Sequence, residues 1–305
     1  MRSHKVEGLQ KAEWDLALLD TELAEIETID MTLLGFDDKE EETPQEVVED
    51  DFDEEPPAEP KAKYGDIYQL GRHRLMCGDS TKTNDVEKLM DGCKADMVFT
   101  DPPYGMNLDT NYDEMFSADT SHRKTGKRFK NVIGDHEDFS PKFIESIFEN
   151  LAEANEVFIW GADYFSELIP NRKDGSWVVW DKRTNETMDK VTGNTFELCW
   201  SKQKHKRLIA RILWSGHHGM QTDDTKKRVH PTQKPVKLVS WFFEKWGENA
   251  KSVVDLFGGS GSTLIACEQT NRRCFMMELD PKYIDVIINR WETFTGQKAV
   301  KLNAD

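Results

Sequence analysis

Residues 253–263 read VVDLFGGSGST, an apolar β-branched run that breaks on a glycine-rich turn and restarts as a helix. Few folds accommodate that order. Glycine lets the chain turn sharply and approach a ligand, and the helix that follows presents N–H groups with no intrahelical partner. Twenty residues after Gly258 the next β-rich run ends in Glu278, the place where βαβ nucleotide-binding units carry the acceptor for ribose hydroxyls. Leu264 stands where a dinucleotide fingerprint has Gly or Ala, so the turn suits an adenosine-bearing ligand without a pyrophosphate.

The surroundings of that turn repeat its alternation. Seven short β-rich segments, at 74–77, 96–100, 156–160, 177–181, 196–201, 252–257 and 273–278, are separated mostly by helical patterns at 84–90, 141–154, 234–246, 262–270 and 281–294. Pro141, Pro235 and Pro281 sit where a first helical turn tolerates proline. Strand–helix alternation predicts an α/β fold with a mostly parallel, seven-stranded, doubly wound sheet, and the close pair 177–181 and 196–201 predicts an antiparallel hairpin at its edge.

The 305 residues carry a formal charge of −17, and the charge is not evenly spread. Residues 1–60 hold 21 acidic against 4 basic side chains, which leaves 36 of each sign in residues 61–305. The remainder is electrically neutral, so net charge does not exclude a nucleic-acid partner. Apolar residues recur at near-helical spacing over 11–34, which predicts a short helical segment within 1–36. Residues 37–63 are densely acidic and carry prolines at 44, 56, 57 and 60, so a disordered linker is expected there, with the main domain over 64–305. No apolar run approaches the roughly 18 to 20 residues of a membrane span, and the first residues lack a secretory layout, so the expected location is cytoplasmic. Five cysteines without C-x-x-C spacing, and His205, His217 and His218 without partners at ligand spacing, predict neither a disulfide framework nor a metal site. Cys267 and Cys274 read as small buried hydrophobes, and Trp177, Trp180 and Trp200 as packing residues.

A second informative run is MVFTDPPYG at 97–105. An apolar strand ends in a carboxylate, Asp101, followed by Pro102 and Pro103, which cannot continue a ladder, and by an aromatic residue, Tyr104. In open α/β sheets the C-terminal edge of such a strand is where ligands bind.

Asp-Pro-Pro-Tyr at 101–104, Phe-Gly-Gly-Ser-Gly-Ser at 257–262 and His-Pro-Thr-Gln-Lys-Pro at 230–235 together resemble the amino-methyltransferases that act on exocyclic amines of DNA bases. The target-amine motif precedes the cofactor motif, as in the β subgroup, and Asp at position 101 resembles adenine-N6 enzymes more than cytosine-N4 ones. The likeness runs from about residue 64 to 303, and Glu13-Trp14-Asp15 with Leu34-Gly35-Phe36-Asp37 resembles the tail after a ParB-like domain in prophage and phage ParB-methyltransferase fusions. It implies a circularly permuted Rossmann-like domain that uses S-adenosylmethionine, and a restriction-modification setting. Asp255, Phe257, Gly258, Gly259, Gly261 and Glu278 would hold the cofactor, with Asp79 near the adenine edge and Thr232 and Lys234 toward its methionine end. Asp101 and the Pro102 carbonyl would accept the N–H groups of the target amine, with Pro103 and Tyr104 completing the catalytic motif. Duplex DNA hides that amine, so the base must be flipped out, and Tyr104 is the natural stacking platform.

Phosphate contacts are expected from the loop 123–130, through Arg123, Lys124, Lys127, Arg128 and Lys130, with further basic runs at 202–207 and 226–228. Sequence recognition is expected over about 184–229. Rival readings are a cytosine-N4 methyltransferase, a nicotinamide oxidoreductase and a non-catalytic DNA-binding relic. Leu264 disfavours the oxidoreductase, which also leaves Asp-Pro-Pro-Tyr without a use, and the intact motifs disfavour the relic.

Overall fold

Four segments rich in Val, Phe, Ile and Met, with almost no exposed position, form the middle of the sheet. Their apolarity on both faces is what a strand needs when helices cover it from both sides. The computed structural model describes residues 47–104, 141–151, 154–183, 194–214 and 233–303, all within the unit that runs from Glu46 to Asp305. In chain order the elements are β1 (Ile67–Leu70), β2 (His73–Cys77), α1 (Thr83–Met90), β3 (Met97–Thr100), α2 (Pro141–Asn150), β4 (Glu156–Trp160), β5 (Ser176–Asp181) and β6 (Phe196–Ser201). There follow β7 (Ile209–Arg211), α3 (Val236–Trp246), β8 (Ser252–Asp255), α4 (Ser262–Gln269), β9 (Arg273–Glu278), α5 (Pro281–Thr295) and β10 (Val300–Lys301).

Among the described residues the strands make one ten-stranded sheet in the order β10-β1-β2-β9-β8-β3-β4-β6-β5-β7. The run β2-β9-β8-β3-β4 is parallel throughout. β1 pairs antiparallel with β2 and β10, β6 pairs antiparallel with β4 and β5, and β7 returns parallel to β5. The mostly parallel seven-stranded sheet expected from sequence is therefore corrected to a mixed sheet. All seven predicted segments are strands, but β1, β7 and β10 were missed because strands of two to four residues at or next to a sheet edge bury too little to leave a periodic apolar signal. The predicted hairpin β5/β6 exists, although β7 and not the hairpin forms the outer edge.

Two apolar layers cover the sheet. One joins α3, α4 and α5 to residues such as Phe99, Phe158, Trp160 and Met276, and the other joins α1 and α2 to Val98, Ile159, Val254 and Phe275. Phe242 of α3 meets Phe99, Phe158 and Trp160 edge-on at centroid distances of 5.1, 5.0 and 5.5 Å, which locks that helix to β3 and β4. Helix α4 is buried from Ser262 to Cys267, as expected of a helix that shows no polar face.

The acidic segment departs from expectation. Residues 47–63 do not behave as a disordered linker: they pack along α3, α4 and α5 as a strap. Glu49 accepts from the Val236 and Lys237 amides at 3.0 and 2.8 Å, Asp50 pairs with Arg290 at 2.5 Å, and Phe52 is buried beside Tyr283 and Val286. Composition predicted disorder because it counts like charges as mutually repulsive, whereas here the carboxylates find a helix N-terminus and a guanidinium. Residues 37–46, and the helical segment expected within 1–36, lie outside the described residues.

Candidate active site

The two sequence motifs arrive at one edge of the sheet because β3 and β8 are parallel neighbours, paired Met97 to Val253 and Val98 to Val254. Both strands end there, β3 at Thr100 before Asp101 and β8 at Asp255 before the glycine turn. A side-chain bond joins the two ends. Thr100 Oγ1 donates to Asp255 Oδ1 at 3.0 Å, and Thr263 Oγ1 donates to Asp255 Oδ2 at 2.7 Å. The Phe257 amide adds a third donor at 3.1 Å. Asp255 is buried, and burial pushes its carboxyl up to about 7 against those hydrogen bonds. With its oxygens taken by three donors of the local frame, Asp255 braces the turn.

Gly261 caps α4 with φ +87°, a left-handed conformation that side-chain-bearing residues rarely adopt. The turn lies across the end of β9: the Gly258 amide donates to the Met277 carbonyl at 2.8 Å, and the Gly259 amide to Glu278 Oε2 at 2.8 Å. Glu278 Oε1 accepts from the Asp280 amide at 2.9 Å. Burial pushes this carboxyl up to about 7 against those amide bonds. A carboxylate offers about four acceptor positions, so Glu278 keeps capacity for hydroxyl donors. Glycine turn and half-buried acceptor together fit an adenosine ribose, the group the sequence implied.

Asp79 follows β2 at the same edge, with its Oδ1 occupied by the Thr81 hydroxyl and amide at 2.7 and 3.0 Å. Burial opposes ionisation, but these bonds and Lys82 at 3.3 Å hold its carboxyl below the usual range. Phe257 is half-buried, 6.1 Å from the Phe143 ring. Thr232 and the basic loop residues Arg123, Lys124, Lys127, Arg128 and Lys130 lie outside the described residues, as do 184–193 and 215–229 of the expected recognition region.

On the other side of Thr100 stands a cluster that sequence spacing did not reveal. Lys234, 7% exposed, pairs through Nζ with Asp101 Oδ2 and lies 3.3 Å from Glu197 Oε2. Lys182 holds the other oxygen of Glu197, and the Lys234 ammonium lies 5.2 Å over the Trp160 ring. Lys234, expected toward the methionine end of a cofactor, forms an ion pair with the target-side carboxylate. A buried ammonium needs anions, and these two are within reach. Burial tends to discharge Lys234, but Asp101 and Glu197 keep its pKa above the ordinary lysine value. Burial likewise opposes the charge on Glu197, yet its two lysines hold it down at about 2. At Asp101 burial wins, aided by the charge of Glu197, and its carboxyl is raised despite Lys234.

The second oxygen of Asp101 accepts from the Tyr104 hydroxyl. The Tyr104 ring stacks on Tyr164 at 5.1 Å with 13° between planes, and it lies against Gly161. A Cβ at Gly161 would fall 1.9 Å from the Tyr104 ring, so glycine is required by close approach as well as by its φ of +64°. Gly161, Tyr164, Lys182 and Glu197 are the members that sequence reading passed over. Only the turn position of Gly161 after a strand offered a local signal. Pro102 is buried and Pro103 half-buried beside the cluster.

Comparison with known proteins finds similarity to DNA methyltransferases. Residues 145–290 match the DNA methylase family model. Among curated relatives, the type II methyltransferase M.HinfI of Haemophilus influenzae is 26% identical over 230 residues, which cover 64% of this chain and 62% of that protein. M.HpaI of Haemophilus parainfluenzae is 22% identical over 259 residues, 73% of this chain and 76% of the relative. The chain thus spans about three fifths of the first of these relatives. Among solved structures, the PvuII cytosine-N4-specific DNA methyltransferase aligns at 18% identity and a TM-score of 0.45 over 75% of this chain and 90% of its own. The M1.HpyAVI complex with its SAM ligand aligns at 19% identity and a TM-score of 0.41, over 71% and 98%. Among the described residues no helix is long and apolar enough to cross a membrane, and no group of His, Cys, Asp and Glu could hold a metal ion.

Proposed function

We propose that this chain is a site-specific DNA methyltransferase that uses S-adenosylmethionine to methylate N6 of an adenine flipped out of duplex DNA. The observation that carries the reading is the Thr100–Asp255 bond between adjacent strand ends, which puts the Asp-Pro-Pro-Tyr carboxylate beside the glycine turn. S-adenosylmethionine supplies an electrophilic methyl group. Gly258, Gly259, Gly261 and Glu278 are the residues that would hold it, with Asp79 and Thr232 at its ends and Phe257 at the mouth of the turn. The order of the motifs supports a circularly permuted Rossmann-like fold, and the relatives support a restriction-modification setting in the cytoplasm.

What the chain itself contributes is positioning and electrostatics. An exocyclic amine is a weak nucleophile because its lone pair is delocalised into the ring. Asp101 Oδ1 and the Pro102 carbonyl oxygen each accept one amino N–H, which favours a pyramidal nitrogen and offsets the positive charge that grows there. Lys234 fixes the carboxylate through its other oxygen, so Asp101 meets the base in one orientation. Tyr104 now occupies Oδ1, so the incoming base displaces its hydroxyl, and the freed ring, flanked by Tyr164, stacks on the base. No covalent bond between chain and base is required.

Asp101→Ala is expected to abolish methyl transfer while S-adenosylmethionine still binds in equilibrium dialysis; turnover near that of the unaltered enzyme would remove the mechanism. Cytosine N4 presents the same amine chemistry, and the PvuII likeness favours keeping it as a second reading. Chromatography of nucleosides from treated DNA separates N6-methyladenine from N4-methylcytosine.

A further inference from the structure

The strap over α3, α4 and α5 sends its two consecutive carboxylates to the two chain segments that make up the site. Asp50 forks onto Arg290, accepting from Nε at 2.7 Å and from Nη2 at 2.5 Å. The third arm of that guanidinium, Nη1, donates to the Ser260 carbonyl at 2.9 Å and to the Ser260 and Ser262 hydroxyls at 3.2 Å each. Arg290 therefore grips the glycine turn from behind, and it is 2% exposed. A guanidinium so buried requires an anion, and Asp50, 7% exposed, is the one paired with it.

Glu49 reaches the other segment. Helix α3 begins immediately after Lys234 and Pro235, and Pro235 offers its first turn no side-chain cap. Glu49 supplies that cap through both oxygens, on the Val236 and Lys237 amides. The cap fixes the start of the helix two residues beyond Lys234, whose ammonium holds Asp101. The strap is anchored on either side of the pair: Val48 exchanges two bonds of 2.9 Å with the Gln269 side chain of α4, and the Lys61 and Ala62 amides donate to Asp285 of α5.

We propose that Glu49 and Asp50 are positioning residues of the active site, Asp50 holding the cofactor turn in shape through Arg290 and Glu49 holding the Lys234 segment. The inference rests on the cofactor reading of the glycine turn. A turn freed from Arg290 loses three hydrogen bonds on its outer side, so the cofactor must order it on binding and the loss falls on affinity. Once the cofactor is bound the turn is back in place, so the chemical step is spared.

The test compares Asp50→Asn and Asp50→Glu with the unaltered protein, by equilibrium dialysis against S-adenosylmethionine, steady-state kinetics and thermal melting. Asp50→Asn is expected to raise KM for S-adenosylmethionine about tenfold, as befits the loss of a buried charged pairing, while kcat at saturation stays within about twofold and KM for DNA is unchanged. Asp50→Glu, which keeps the charge, restores most of the affinity. Equal cofactor affinity in Asp50→Asn and the unaltered protein overturns the inference. So does a variant whose kcat falls in step with its folded fraction at unchanged KM, the pattern of a purely structural strap. If the unaltered protein itself fails to bind S-adenosylmethionine, the cofactor reading falls, and this inference falls with it.

Discussion

Replacing Lys234 by methionine keeps the apolar stem near Trp160 and deletes the charge that two carboxylates share. The ammonium is 7% exposed, while Asp101 and Glu197 are 17% and 25% exposed. Removing one member of a buried ion pair costs about 3 to 5 kcal/mol, because the partner is left uncompensated. Residual solvent access and the remaining hold of Lys182 on Glu197 put this case at the lower end, about 3 kcal/mol. For a domain of this size that lowers Tm by roughly 6 to 12 °C. The pH dependence follows from Asp101. Burial and the charge of Glu197 already raise its carboxyl above 3.8, and in the variant no ammonium opposes them. Between the unfolded and the raised folded value the native state holds a proton that the unfolded chain has released, so stability falls as pH rises through the folded value. The penalty is therefore largest near neutral pH and shrinks on acidification. Circular-dichroism melts of both proteins at about pH 7.5 and about pH 5 measure it. A variant within about 1 kcal/mol of the parent at neutral pH, or one whose penalty grows on acidification, would refute the buried-cluster account.

Tyr104→Ala removes the stacking platform and is expected to raise KM for duplex DNA about tenfold, from a stacking contribution of roughly 1 to 3 kcal/mol, with cofactor affinity intact; unchanged kinetics on duplex DNA would count against it. Gly161→Ala drives a methyl group into the Tyr104 ring at a left-handed backbone position, so activity should fall with a stability loss of about 1 to 3 kcal/mol, and a variant that melts and turns over like the parent would show that Tyr104 rests elsewhere. Neutralising Arg123, Lys124, Lys127 and Arg128 together should weaken DNA binding and flatten its dependence on salt in fluorescence anisotropy; an unaltered slope would place the loop away from phosphate.

Much of this protein was legible before folding. The strands β3, β8 and β9 and the helices after them follow from apolar runs bounded by Gly and Pro, and such signals survive because they arise between residues a few positions apart. The same holds for the glycine turn, whose positive φ only glycine adopts cheaply, and for Asp101 and Glu278 at the ends of their strands. Edge strands were less visible, since β10 has two residues and β7 three, too few to show a period.

Charge pairing was not legible at all. Nothing local in Lys234 announces Asp101 and Glu197, and nothing in a tract of acids and prolines announces that Asp50 will meet Arg290, 240 residues away. The sequence alone determined which segments become strands and helices and which side chains stand at the sheet's carboxyl edge, because backbone preference and apolar periodicity are local. Only the tertiary structure decided which of those charges share a buried site and that residues 47–63 form a strap, because a carboxylate's free energy depends on whether the fold brings it water, an amide or a cation.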